Sequence, residues 1–273
     1  MGWDEIKTHM SNEMMTMLEF GQLNLLSEQL NASDQLYEPA NEDEQSNNRY
    51  VNILPYRHSR ITVGDTHRYM NASRIDDAFV CTQAPLEHTL DDFWIMVWEQ
   101  QTSLIVMLTD TQPNKAIVYW PLIDQTLLIS GTGISVTATH EMVHQTHTIR
   151  VFRLGRTFDE EHEEMEVLHL QYHAWPDYGV PCLDELYPFV EFVESSRRHQ
   201  PQGHQTLVHC SAGVGRTGTF LAILLARARE SVDFFVLVQK MRRQRMWMVQ
   251  TLEQYKFLRV FCEQFPGHSK TFS

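Results

Sequence analysis

Helical spacing of apolar residues recurs along the chain and predicts most of its helices. In residues 1–30, methionine and leucine side chains form a stripe that predicts a helix packed onto the core. The members of this stripe include Met14, Met17, Leu18 and Leu25. The other predicted helices are Leu183–Glu194, Thr217–Ala228, 231–246 and a last amphipathic helix containing Tyr255, Phe257, Leu258 and Phe261, which ends at Pro266 and Gly267.

Apolar runs and alternating patterns predict strands between these helices. Residues 104–108 are continuously apolar, as in a strand buried on both faces, and residues 134–154 alternate β-branched with other side chains. The predicted strands are 104–108, 134–154, Val167–Tyr172 and Gln205–Val208. Two acidic stretches, 38–48 and 159–166, predict a solvated loop and a solvated turn between strands.

Composition fits a globular protein of one large domain. The chain has 273 residues, of which 42% are hydrophobic and 21% charged, so it is long enough to bury a sizeable core. Lys and Arg total 22 against 35 Asp and Glu, which gives a net charge of −13. This acidity argues against nucleic acid, and against an anionic membrane, as the main partner.

Cysteine usage and the absence of targeting signals predict a cytoplasmic protein. The four cysteines are too few and too scattered for a disulfide framework, which favours a reducing compartment. No apolar run approaches the 18 residues of a membrane span, and the N-terminus lacks a signal peptide. Gly2 suggests myristoylation, but Ile6 occupies the position where that signal needs Ser or Thr.

The stretch from Val208 to Gly218 carries the chemistry. A predicted strand runs into a predicted helix, and the free N–H groups of a helix N-terminus form an anion site. Glycines allow the backbone to wrap around a phosphate, and Arg216 can bind two phosphate oxygens with its planar fork. Cys210 lies at the bottom of the same positive cradle, which favours its nucleophilic thiolate form.

Other interpretations of this loop fit less well. Gly213, Gly215 and Gly218 satisfy the dinucleotide pattern G-x-G-x-x-G, but no strand ending in an acidic residue lies about 20 positions further on. A Walker loop needs a lysine before Thr217, where this chain has Arg216. A structural cysteine in a tight turn explains Cys210 but leaves the arginine unexplained. The sequence therefore predicts a phosphate-binding loop.

A second motif, His140-Glu141-Met142-Val143-His144, matches the H-E-x-x-H pattern of zinc proteases. Two histidines four residues apart share one face only on a helix, and this segment is predicted to be a strand. On a strand the two imidazoles are separated by roughly 13 Å, too far to share one zinc ion. We expect His140, His144 and His147 to be hairpin surface residues.

The phosphate loop, His209–Phe220, resembles the signature loop of the tyrosine-specific protein phosphatases, and Trp175–Pro181 resembles their mobile acid loop. Further matches occur in the family's order at Asn48–Tyr50, Tyr69–Ser73, Asp92–Trp94 and Val249–Thr251. The resemblance covers roughly residues 20–265. It implies an α/β fold with a highly twisted mixed sheet flanked by helices. A single catalytic domain then spans 1–266, with a helical extension and acidic loop over 1–45 and a short tail at 267–273.

The resemblance also implies a reaction, the hydrolysis of protein phosphotyrosine through a phosphocysteine on Cys210. Arg216 then binds phosphate and Asp177 is the general acid and base. Gln250 orients the attacking water, and Thr217 donates a hydrogen bond to the Cys210 sulfur. His209 tunes the thiolate through its own hydrogen bonds, and Tyr119 contacts His209. No metal ion or cofactor is implied.

The implied substrate pocket takes its phosphate-binding residues from the loop, namely Ser211, Ala212, Gly213, Val214 and Gly215. Tyr50 forms an aromatic wall that deepens the cleft, so that a short phosphoserine cannot reach Cys210. Asn52 holds the substrate backbone, and Gln254 is a further substrate-binding residue. Trp247 either narrows the pocket mouth and covers a basic groove near Arg242, or packs back on its methionine neighbours; the sequence leaves both open.

Two departures from the family pattern concern the surroundings of Arg216 and the segment Arg57-His58-Ser59-Arg60. The family often has a glutamate paired with the signature arginine, but none lies between Thr109 and Trp120. Asp110 is the nearby acid, and Lys115 matches a family lysine that can meet the acid loop. Arg57 stands where the family has an aspartate. A group that pairs with this aspartate in the family therefore needs another partner in this chain.

Two alternative functions remain open beside the metalloprotease already discounted. One is a phosphotyrosine-binding module with weak or no turnover, against which the intact catalytic residues argue. The other is a dual-specificity or lipid phosphatase, which shares the C-x5-R loop but lacks the deep pocket that Tyr50 predicts. The expected partners are phosphotyrosine proteins in cytoplasmic signal transduction, and the expected state is a monomer.

Overall fold

The structure is a computed structural model that describes residues 11–267, apart from 34–35, 38, 40, 113–114, 159–160 and 177–178. Among the helices in these ranges, none has the length and apolar character to cross a membrane. The chain alternates helices and strands around one large sheet. The mixed α/β fold that the sequence predicts is confirmed.

Within the described ranges, nine strands form a single sheet in the order β1-β2-β3-β9-β4-β8-β7-β6-β5. The four central strands, β3, β9, β4 and β8, are parallel to one another, and the outer strands pair antiparallel. The strands are β1 Arg60–Val63, β2 Arg68–Ile75, β3 Phe79–Thr82, β4 Thr102–Met107, β5 Thr126–Leu128, β6 Ile134–Val143, β7 His147–Phe158, β8 Glu161–Tyr172 and β9 Gln205–His209.

Helices cover both faces of the central strands. They are α1 Asn12–Asn31, α2 Glu42–Ser46, α3 Leu90–Glu99, α4 Leu183–Arg198, α5 Gly215–Arg227, α6 Phe234–Gln244 and α7 Leu252–Gln264. Leu104 and Val106 of β4 face a core built with α4, α5, α6 and α7. Ile105 and Met107 face the opposite core, which contains α3. Strand β4 is therefore buried on both faces, as its continuous apolar run predicts.

Helix α5 lies at the centre of the larger core and is buried along almost its whole length. Its N-terminus follows β9 after the loop at Cys210, so the predicted strand–loop–helix unit is confirmed. Gly218 permits this burial, because a Cβ at that position would lie 2.3 Å from the backbone nitrogen of Val249. The helix thus contacts the turn before α7 with backbone against backbone.

Three predictions of local structure are wrong. The stripe on α1 faces solvent, with Met14 and Leu25 exposed by 52% and 61%, because this helix is apolar on both faces and packs instead through Phe20 and Leu23. The acidic loop contains the short helix α2, whose N-terminal Asn41 side chain accepts from the Glu44 N–H. Residues 161–166 of the acidic run belong to β8 and pair with β7 rather than forming a turn, while 159–160 lie outside the described residues.

The segment with the H-E-x-x-H pattern lies on strand β6 and in the hairpin that joins it to β7, as predicted. His140 and His144 are exposed, and His147 is half-buried. Across the described ranges, no group of three or more His, Cys, Asp or Glu side chains has a geometry that could hold a metal ion. The zinc-protease interpretation of this segment has no structural support.

Candidate active site

The loop between β9 and α5 turns back on itself after the carboxyl end of β9, and Gly213 makes the turn possible. Its φ is +70°, in the left-handed region, and a Cβ there would lie 2.0 Å from the carbonyl oxygen of Thr82. Only glycine tolerates both conditions. With this turn in place, the Gly213 N–H points at the Cys210 sulfur, 3.3 Å away.

Arg245 supports the loop from below. Its side chain is fully buried and donates to the carbonyl oxygens of Gly213 and Ala212, at 2.7 and 3.1 Å. The same guanidinium donates to Asn71 and Ser73 on β2. Burial lowers the pKa of Arg245, yet four acceptors compensate for much of the desolvation of its charge. By holding the carbonyl groups downward, Arg245 leaves the N–H groups of the loop free to face the cavity.

A cavity of about 550 Å³ opens above the loop, with Cys210 at its floor. Nine of the predicted site residues line it: Tyr50, Asn52, Cys210, Ser211, Ala212, Gly215, Arg216, Gln250 and Gln254. Five described ones do not: His209, Gly213, Val214, Thr217 and Trp247. Asp177 lies outside the described residues, although Gly179, two positions later, lines the cavity.

Tyr50 stands at the side of the cavity and is fixed to the loop. Its hydroxyl lies 3.0 Å from the Ser211 Oγ. The preceding residue, Arg49, donates to the carbonyl oxygens of Ala84 and Pro85, and its N–H donates to Gln83. These bonds attach the segment of Tyr50 to the end of β3, so the aromatic wall has a fixed position.

Among the described residues, backbone carbonyl groups hold Arg216, at the position where the family often supplies a glutamate. Its guanidinium donates to the carbonyl oxygen of Leu108, at 3.2 Å, and to that of Pro176, at 3.0 Å. Leu108 directly follows β4, and Pro176 belongs to the predicted acid loop. The buried Trp175 in turn donates to the Gly179 carbonyl oxygen at 3.3 Å. The described parts of the predicted acid loop are therefore held through backbone carbonyl groups, Pro176 by Arg216 and Gly179 by Trp175.

Gln250 reaches the cavity from a tight turn before α7. Gln254 organises this turn, since its amide oxygen accepts from the N–H groups of Gln250 and Thr251. Thr251 and Gln254 also cap α7 reciprocally. Val249 has a φ of +60°, a strained conformation for a β-branched residue. Arg242 holds this backbone, because it donates to the carbonyl oxygens of Met248 and Val249 at 2.9 and 2.7 Å.

Trp247 lies outside the cavity lining, so the structure favours the packing alternative over the gateway. Its φ is +56°, and this backbone turn directs the half-buried indole onto the cluster that contains Tyr56 and Met246. The guanidinium of Arg242 lies 5.8 Å from the indole ring centroid. Arg242 itself is buried and donates to backbone carbonyl groups.

Behind the loop, three buried side chains form a hydrogen-bonded series. The Tyr119 hydroxyl lies 2.7 Å from His209 Nε2, which confirms their predicted contact, and 2.8 Å from His169 Nε2. His209 Nδ1 lies 3.1 Å from the Cys210 carbonyl oxygen. Because a carbonyl only accepts, Nδ1 carries the proton of His209. The series therefore ends at the backbone of the predicted nucleophile.

The positions of the other protons in this series follow from the charge states of the two histidines. Burial lowers the pKa of His209 to about 4, so the ring is neutral near pH 7 and its Nε2 accepts from Tyr119. Tyr119 has one proton, so its oxygen accepts from the Nε2–H of His169. Burial also holds the pKa of His169 well below its usual range. His169 Nδ1 has no hydrogen-bond partner among the described residues.

The buried neutral His209 predicts acid-sensitive stability. Its pKa is about 4 in the folded state and about 6.5 when unfolded, so the unfolded chain binds the extra proton between these values. Stability is complete above pH 6.5 and is lost as the pH falls towards 4, by about 3 kcal/mol from this group. We expect His209→Asn, which keeps a donor but does not titrate, to lose correspondingly less in urea unfolding across this range.

His140→Asn is the matched control, because His140 is exposed on β6. It should follow the wild-type dependence of unfolding free energy on pH. An identical loss in wild type and His209→Asn would contradict a neutral buried His209.

The predicted bond from Thr217 to the Cys210 sulfur is absent from the structure. Thr217 is fully buried, and its Oγ1 has no hydrogen-bond partner among the described residues. The sulfur accepts from the Gly213 N–H instead. Thr217 follows Arg216 in the first turn of α5, where the helical backbone fixes the direction of its side chain.

Several residues of the site were missed by sequence analysis. Ile53, Thr109 and Glu253 line the cavity, while Arg245 and His169 act behind it. Arg245 directly follows α6, where a cation also favours the helix dipole, and its adjacency to the Met246–Gln250 turn was the available signal. No sequence pattern indicated a role for His169, since its partner Tyr119 lies 50 positions away in the chain.

Comparison with known proteins agrees with this geometry. The family model of the protein-tyrosine phosphatase domain matches residues 44–263. The Caenorhabditis elegans tyrosine-protein phosphatase Lar-like is 40% identical over 77% of this chain and 10% of its own length. Mouse tyrosine-protein phosphatase non-receptor type 2 is 33% identical over 79% of this chain and 56% of its own length. The chain belongs to the protein-tyrosine phosphatase family.

Solved structures show the same fold. The catalytic domain of human protein tyrosine phosphatase non-receptor type 18 superimposes with a TM-score of 0.80, at 30% identity, over 92% of this chain and 95% of that one. PTPN18 in complex with HER2-pY1196 phosphopeptides gives a TM-score of 0.81 over 93% of both chains. The chain covers 10% of the length of the first curated relative named above and 56% of the length of the second.

Proposed function

We propose that this protein is a hydrolase that removes phosphate from phosphotyrosine in proteins through a phosphocysteine on Cys210. The observation that carries the proposal is the arrangement at the cavity floor. The Cys210 sulfur accepts a hydrogen bond from the Gly213 N–H at 3.3 Å, and Arg216 lines the same cavity. A thiol that accepts backbone N–H donation at the start of a helix is suited to react as a thiolate.

In the first step, the loop N–H groups from Ser211 to Arg216 and the Arg216 fork bind the phosphate dianion. The Cys210 sulfur attacks phosphorus in line, and the bond from phosphorus to the tyrosine oxygen breaks. Tyrosine has a pKa of about 10, so its departure near neutral pH requires a proton. Asp177 donates that proton. Two observations on either side of Asp177 support this assignment. Pro176 is bonded to Arg216, and Gly179 lines the cavity.

In the second step, water attacks the phosphocysteine, Asp177 accepts a proton from that water, and inorganic phosphate and the Cys210 thiolate are released. Gln250 orients the water, which its position in the cavity lining supports. The loop donors hold the charge of both transition states in a preorganised setting. The neutral His209 supports the loop through its bond to the Cys210 carbonyl. Thr217 has no part in the steps assigned here.

The proposed substrate class rests on the aromatic wall of the cavity. Tyr50, bonded to Ser211, walls the side of the cavity and can contact the ring of a phosphotyrosine. Such aromatic contacts contribute about 0.5–1.5 kcal/mol beyond area burial. Asn52 and Gln254 at the lining are placed to bind the peptide near that ring. A phosphoserine is too short to reach the sulfur past this wall.

We place the activity in the cytoplasm and in phosphotyrosine signalling. The four cysteines are free thiols, and Cys210 must remain reduced to react. The relatives include both receptor-type and non-receptor enzymes, and both kinds carry this domain. The proposal concerns the domain described and the phosphotyrosine proteins that reach its cavity.

The experiment that tests the function compares one peptide in two forms, phosphorylated on tyrosine or on serine, with a chelator present. We expect phosphate release from the phosphotyrosine form alone. Tight binding without release would indicate a binding module. Equal release from both forms would indicate a dual-specificity enzyme, and loss of release with the chelator would contradict the cysteine mechanism.

A further inference from the structure

Glu253 is a carboxylate at a cavity that must admit a dianion. Among the described lining residues it is the one acidic side chain, beside the cations Lys115 and Arg216. It is exposed, and within the described part of the chain it makes no hydrogen bond or ion pair. A free negative charge here repels the phosphate and any acidic neighbour of the phosphotyrosine.

Glu253 takes no part in the capping box of α7. It lies in the first turn of α7, where an acid favours the helix dipole. However, this N-terminus already has a complete capping box, because Thr251 and Gln254 bind each other's backbone N–H groups. The Gln254 oxygen also accepts from the Gln250 N–H. The capping box fixes the first turn of α7, so Glu253 is held at the cavity edge.

We propose that Glu253 selects substrates with a lysine or arginine adjacent to the phosphotyrosine. This inference rests on the proposed phosphatase function and names the substrate class of that same site. A cation beside the phosphotyrosine pairs with Glu253 and removes the repulsion, whereas an acidic residue adds to it. Asn52, also at the lining, is neutral and does not duplicate this charge.

The test uses phosphotyrosine peptides that differ at one position, lysine or glutamate, placed directly before or directly after the phosphotyrosine. Wild type should show a kcat/KM about fivefold higher for the lysine peptide at one of these positions, as expected for an exposed ion pair. Glu253→Gln should reduce this ratio below about twofold, and Glu253→Lys should invert it. High ionic strength should diminish the wild-type ratio.

Glu263→Gln is the matched control, because Glu263 is exposed at the far end of the same helix. Both variants change the net charge by one unit, so only a local effect separates them. An unchanged ratio in Glu253→Gln, or the same change in Glu263→Gln, would overturn the inference and leave the phosphatase function intact. Absence of release from every phosphotyrosine peptide would contradict the function itself.

Discussion

Cys210→Ser should lower the turnover of a phosphotyrosine peptide by about 10⁵-fold, as removal of a catalytic nucleophile does in other enzymes. A serine hydroxyl does not ionise near neutral pH, so the attack on phosphorus fails. Binding should persist and even strengthen, because the loop N–H groups and Arg216 remain while the thiolate charge is gone. Steady-state kinetics and calorimetric titration of the same peptide measure the two effects.

The control for this substitution is Cys182→Ser. Cys182 is an exposed free thiol at the start of α4, outside the cavity lining. Its replacement should leave kcat and KM unchanged. If Cys210→Ser retained turnover within tenfold of wild type, Cys210 would not be the nucleophile.

Arg216→Lys should lower kcat by about 10³-fold although it keeps the positive charge. A lysine offers a point charge and cannot bind two phosphate oxygens with a planar fork. It also cannot donate at once, in the same geometry, to the Leu108 and Pro176 carbonyl groups that Arg216 joins. The substitution therefore weakens both the transition-state contacts and the position of the acid loop. The measurement is kcat and KM on one phosphotyrosine peptide.

Arg198→Lys on the exposed surface of α4 is the matched control and should have no kinetic effect. A fall of less than tenfold in the kcat of Arg216→Lys would show that charge alone is sufficient. It would also contradict a contribution of the bidentate guanidinium contact to binding of the transition state.

Local pattern in the sequence predicted much of the fold and the centre of the site. The apolar helix after a glycine-rich loop, the buried run of β4 and the Cys210–Arg216 spacing are short-range features, so the sequence contains them directly. Tyr50 lies far from Gln250 and Gln254 in the chain, and the resemblance to a known family, rather than any spacing, predicted that the three share one cavity.

Features that depend on tertiary packing were not predictable in this way. Helix α1 is apolar on both faces, so the pattern could not show that Met14 faces solvent while Phe20 faces the core. Arg245 and His169 act through partners brought near by the sheet, and the direction of Thr217 depends on the first turn of α5. The left-handed backbone at Trp247, which favours the packing interpretation, has no signature in a non-glycine residue.

The most direct test of the central claim is mass spectrometry of the enzyme quenched in acid during a single turnover. Gln250→Ala should be used, because slower hydrolysis of the intermediate lets it accumulate. The account predicts that the peptide containing Cys210 gains the mass of one phosphoryl group and loses it as phosphate is released. A phosphoryl group on another residue, or phosphate release without any covalent enzyme species, would contradict the account.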